Sequence, residues 1–118
     1  MILLFLTTLA FASDVYEFCA LENQIWSENQ QTWKTELVTT FYTFEKIQFI
    51  VHKNMFEINR KKHKIQSHET IDGLPCFREH ENSFICLDEP NDQFLWEFHY
   101  RSGKVTRDVM KICLKNGE

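Results

Sequence analysis

The chain has 118 residues, 13 of them basic and 17 acidic, giving a net charge of −4 with neutral histidines. That length holds one domain with one core and excludes a multidomain enzyme, a repeat array and a long coiled coil. Three Gly and two Pro exclude collagen-like and linker-dominated chains, while 14% aromatic residues argue against disorder.

Residues 1–12, MILLFLTTLAFA, carry no charge and end in Ala10-Phe11-Ala12. Small residues at the first and third positions of that triplet fit a signal-peptidase site. Residues 1–12 therefore read as a signal peptide, with Ser13 or Asp14 opening the exported chain. A helix of this length reaches only about 18 Å, short of a bilayer core, so no integral membrane anchor is expected after cleavage. Residues 13–118 then form a single β-rich domain, placed in the periplasm or outside the cell.

Cys19 lies on the first expected strand. Asn23 to Trp33 is polar, without Gly or Pro, and fits either a helix across the sheet or a long excursion between strands. Glu36 to Phe44 alternates in the manner of a half-buried strand. Ile47–His52 and Met55–Asn59 follow, separated by Lys53-Asn54. A turn there sets Val51 opposite Phe56 and Phe49 opposite Ile58, four core side chains on one face. Arg60-Lys61-Lys62 reads as a charged connection into a strand from His63 to Ser67. Asp72-Gly73-Leu74-Pro75 breaks the chain before Cys76–His80, and Ser83–Asp88 returns. A three-residue loop at His80-Glu81-Asn82 sets Cys76 directly opposite Cys86.

After the breaker Glu89-Pro90-Asn91-Asp92, Phe94 to Tyr100 places Phe94, Trp96, Phe98 and Tyr100 on one face, and all four are expected to be buried. A turn at Ser102-Gly103 returns the chain as a strand from Val105 to Leu114, with Val105 opposite Tyr100 and Val109 opposite Trp96; a short C-terminal helix is the alternative. The fold expected is all-β, an antiparallel up-and-down meander closed into a small barrel or strongly curved half-barrel. A two-sheet sandwich is second.

All four cysteines follow the leader, and an even number in a short exported chain reads as two disulfides with three connectivities. Cys19–Cys113, joining first strand to last, with Cys76–Cys86 across a hairpin is the favoured set. No Cys-x-x-Cys pair exists, so zinc and redox sites have little support. The disulfides compensate for a thin core in a small domain.

Catalytic chemistry finds no foothold. No serine sits in a Gly-x-Ser-x-Gly elbow, paired cysteines remove the thiol nucleophile, and Gly only at 73, 103 and 117 excludes a phosphate-cradling loop. Carboxylate pairs such as Glu79 with Glu81 fit an exposed hairpin as readily as an acid–base site. The chain is therefore read as a non-enzyme that needs no cofactor, and its acidic balance argues against nucleic-acid binding. Two groups remain for binding. Trp26 and Trp33, with Tyr100, are candidates for an aromatic contact, whereas Trp96 fits the core better. The basic cluster Arg60, Lys61, Lys62, His63 and Lys64 suits an anion, or simply guards a strand edge from pairing. The leading expectation is a module that binds a protein or cell-envelope component. Carriage of a small apolar ligand in a barrel cavity is second. Copper or zinc handling, requiring at least three of His52, Met55, His63, His68, His80 and His99 to converge, is third.

Overall fold

The computed structural model describes residues 14–40 and 46–116. The expected signal peptide, residues 1–12, and residues 41–44 of the Glu36–Phe44 run lie outside the described residues. Ten antiparallel strands form one sheet: β1 (Asp14–Ser27), β2 (Thr32–Thr40), β3 (Ile47–Val51), β4 (Met55–Ile58), β5 (Lys61–Lys64), β6 (Ser67–Ile71), β7 (Leu74–His80), β8 (Ser83–Asp88), β9 (Gln93–His99) and β10 (Val105–Asn116). Their order is β5-β4-β3-β1-β10-β9-β8-β7-β6, with β2 paired to β1. The sheet curls through 242° as a half-barrel. Among the described residues no helix is long and apolar enough to cross a membrane.

β1 organises the whole. Its first part pairs with β3, its second with β2, and nearly its full length with β10. The polar stretch from Asn23 is therefore neither helix nor excursion: β1 runs on to Ser27, turns, and returns as β2. Period-2 burial is absent there because Leu37, Val38 and most of β2 remain exposed.

Consecutive strands β5 and β6 occupy opposite edges of the sheet, and the chain between them bridges the open side of the curl. Ile65 N donates to Asn54 O on one side (2.9 Å), and Gln66 N to Arg78 O on the other (2.7 Å). The hydrogen bond between His63 Nδ1 and Glu79 Oε2 (2.5 Å) adds a side-chain bridge.

The concave face is filled. Phe18, Phe49, Phe56 and Ile85 are 0% exposed and Phe94 2%, and Tyr16, Ile65, Phe77 and Met110 complete the cluster. Phe49 lies 4.9–6.3 Å from five other rings. The Lys53-Asn54 hairpin has the expected register, Val51 with Phe56 and Phe49 with Ile58. Cys19–Cys113 and Cys76–Cys86 are both formed. Two disulfides point to an oxidising, non-cytoplasmic environment.

Turns account for the departures from expectation. Cys76 does face Cys86, but a two-residue turn at Glu81-Asn82 with a bulge at Glu79 produces that register. Asn59-Arg60 and Asp72-Gly73 both have positive φ at two successive residues, the geometry of tight hairpin turns. Lys61 and Lys62 thus belong to strand β5 rather than to a connection, and the strand expected from His63 to Ser67 ends at Lys64, with Ser67 opening β6. At the β9–β10 hairpin, Arg101, Ser102 and Gly103 form a three-residue loop with Gly103 at φ +91°. Val105 consequently faces His99 and Val109 faces Leu95, one residue from the expected register. Burial also fades along the aromatic stripe: Phe94 is buried, Trp96 and Phe98 are partly covered, and Tyr100 is 51% exposed.

Candidate functional site

The corrected register decides which side chains share the outer face. From β1 to β8, neighbouring residues there are Gln24 and Trp26, Arg107 and Val105, Glu97 and His99, then Phe84 and Cys86. All of these but Gln24, together with Leu95, line a groove of about 320 Å³, walled at one end by Trp26 and Trp33 near the β1–β2 turn. Its other end is walled by Ile71, Asp72 and Leu74 at the β6–β7 turn. That volume falls at the lower end of the range for ligand pockets.

Trp26 and Trp33 are direct cross-strand partners, and their rings meet edge to face at 5.3 Å. Both are only partly buried, so each leaves ring surface at the wall. Trp26 Nε1 donates to Glu28 Oε2 (3.1 Å), which fixes its orientation. The Arg107 guanidinium stacks over Trp33 with its carbon 4.3 Å from the ring centroid, a cation–π contact. Arg107 Nε donates to Gln24 Oε1 (2.6 Å). Gln24 in turn donates through Nε2 to Glu22, which also accepts from Thr35 Oγ1 (2.9 Å). These two bonds, Thr35 first, lower the Glu22 pKa.

Glu97 sits directly across the ladder from Arg107, yet its carboxylate is turned to His99 Nε2 (2.6 Å). Burial lowers the Arg107 pKa, opposed by the more distant charges of Glu97, Glu22 and Asp88. No carboxylate among the described residues lies within ion-pairing distance of Arg107. The groove therefore contains apolar walls, two indoles and a partly buried guanidinium whose terminal nitrogens have no carboxylate partner.

The two groups of binding candidates separate in space. Trp26 and Trp33 come together as described. Arg60 occupies the β4–β5 turn, and Lys61, Lys62 and Lys64 lie exposed on edge strand β5, away from the groove lining. Trp96 packs against the core from the concave side, and its Nε1 is buried without a partner. Tyr100 lies on the other face from the two indoles, beside Phe98, Thr106 and Asp108 at one rim of the curl. Burial raises the Asp108 pKa, and the hydrogen bond from Asn23 Nδ2 (2.6 Å) acts in the opposite direction.

The histidines do not converge. His52 pairs with Glu57 (2.7 Å), His63 and His80 with Glu79, His99 with Glu97, and His68 with the Lys53 carbonyl (2.9 Å). Among the described residues no group of three His, Cys, Asp or Glu side chains is placed to hold a metal ion. A carrier needs an enclosed cavity, but the centre of the curl is occupied by the phenylalanine cluster.

Arg107 and Glu97 were not singled out by sequence reasoning. With Val109 set opposite Trp96, Arg107 falls opposite Phe98 and joins the wrong face, because a one-residue slip exchanges the two faces of a strand. The signal that finds it is Gly103, whose position fits a three-residue loop as well as a two-residue turn. The chain matches no family model, no curated protein and no solved structure in comparisons with known proteins.

Proposed function

We propose that the chain is an exported, non-catalytic β-domain that binds a protein, free or part of the cell envelope, through its outer-face groove. The observation carrying this reading is the Trp26–Trp33 pair with Arg107 stacked beside it. Trp and Arg are the side chains most enriched where binding energy concentrates, and here they remain partly accessible although the concave core is close at hand. The groove is bounded by two hairpin ends, which leaves a path for a segment of partner chain between them. The two disulfides support work outside the cytoplasm, in the periplasm or beyond the cell. The basic strand β5 is read as an edge guard, since lysines along an unpaired edge oppose strand addition.

The test is site-specific photo-crosslinking in the native cells, with the photoreactive residue at Leu74 in one protein and at Lys62 in another. The expected result is a discrete covalent adduct from position 74 that disappears when Trp33→Ala is added, and none from position 62. An adduct from 62 alone, or one from 74 that survives Trp33→Ala, contradicts the assignment.

A further inference from the structure

The groove contains one cation that no carboxylate contacts, and neighbouring side chains fix its position. Arg107 has its aromatic support in Trp33 and its Nε satisfied by Gln24. The carboxylate best placed to pair with it, Glu97, is held instead by His99. A guanidinium presents five N–H donors in a planar fork, and the two terminal nitrogens match the two oxygens of a carboxylate. With Nε occupied, the terminal edge is what remains for a ligand.

Building on the groove as the binding site, we infer that it recognises an extended segment of a partner protein in which an Asp or Glu side chain pairs with Arg107 and an adjoining bulky apolar side chain packs on the Trp26–Trp33 wall. The unpaired terminal edge of the Arg107 fork selects the acidic group; Asp72, at the far end of the groove, and Glu97, held by His99, also line it, and neither pairs with Arg107. A basic segment would meet those two carboxylates but would place its own charge against Arg107. The layout selects an internal side chain over a chain terminus, because the walls at both ends are hairpin ends with the floor running between them. The polar relay from Glu22 through Gln24 makes Gln24 a positioning residue: it turns Arg107 so that its Nε faces the sheet.

The experiment is selection from random peptide display libraries on the disulfide-bonded domain. One library displays the random segment internally, between fixed flanks; the other displays it at a free C-terminus. Wild type is expected to enrich, in the internal library, sequences with Asp or Glu beside an aromatic or bulky aliphatic residue. Replacing that acid by its amide should weaken a selected peptide by at least about tenfold, as loss of a charge-assisted pair does. Arg107→Gln should still enrich apolar sequences but lose the acidic preference, and Arg107→Lys should restore it only in part because the fork is gone. Apolar enrichment without acids in wild type overturns the carboxylate assignment while leaving the groove in place. Enrichment of acids only at free C-termini overturns the internal side chain. Acidic preference that persists in Arg107→Gln overturns the role of Arg107. No enrichment by wild type in either library overturns the groove reading itself. Unchanged urea midpoints of the Arg107 variants confirm that each comparison is made between folded proteins.

Discussion

The two faces of one sheet are built on opposite terms. On the concave face, Phe18, Phe49, Phe56 and Phe94 bury their rings almost completely against one another, with Ile85 and Met110 filling between them. On the outer face, Trp26 and Trp33 stop short of burial, take a guanidinium as their neighbour, and tie it to a chain of polar side chains. Aromatic content alone does not distinguish the faces. The distinction is what the rings touch: other rings inside, and charge, amide and open groove outside. The first arrangement gains its free energy from excluding water; the second leaves part of that gain for a partner to complete.

The largest effect separating the faces is expected at Phe49. Phe49→Ala removes a ring in contact with five others and should cost about 4 kcal/mol, read as a lower urea midpoint with the slope retained. Next comes the outer-face disulfide. Replacing Cys76 and Cys86 by Ser opens a loop with a sequence separation of 10, and chain entropy puts the loss at about 2.7 kcal/mol. Trp33→Ala should lower stability by only about 1 kcal/mol, because the residue is only partly buried and its cation–π contact is partly solvated. A Trp33→Ala loss as large as that of Phe49→Ala would erase the distinction between the faces.

Two carboxylates sharpen the comparison through pH. Glu69, on the outer side, receives two hydrogen bonds from the Arg78 fork (2.6 and 3.0 Å), and these pull its pKa down to about 2. Because its folded pKa lies below the unfolded one, its contribution is present above the ordinary carboxylate range and is lost as pH falls toward about 2. Asp108, on the concave side, has a raised pKa, so stability falls as pH rises from the ordinary carboxylate value through the raised one. Glu69→Gln should therefore flatten the acid limb of a stability–pH profile. Asp108→Asn should remove a decline at higher pH and leave a slightly more stable protein at neutrality. An effect opposite in sign to that of Trp33→Ala and similar in size is expected at Arg60, which adopts φ +73°. Arg60→Gly should relieve that left-handed strain and raise stability by about 1 kcal/mol, with no change in groove binding.

The all-β antiparallel architecture and both disulfides were legible because they follow from alternation and spacing. The Lys53-Asn54 hairpin is the clearest case, since a two-residue turn leaves one register and hydrophobic pairing agrees with it. The β9–β10 hairpin was legible as a hairpin and not in its register, because Arg101, Ser102 and Gly103 accommodate two loop lengths that differ by one residue. That single residue decided whether Arg107 faced the core or the groove. Trp26 and Trp33 were visible as candidates by residue type, but their pairing required knowing that the polar stretch between Asn23 and Trp33 is strand and turn. Polar residues on both faces of a projecting hairpin leave no burial pattern from which to read it.

The central claim is that the outer groove serves recognition and is dispensable for folding. The direct test is the affinity of one library-selected peptide for the Trp26→Ala/Trp33→Ala variant, measured by calorimetry beside its urea midpoint. The account predicts affinity lower by at least about tenfold in a protein that still unfolds cooperatively. Affinity equal to wild type, in the same folded protein, would contradict it.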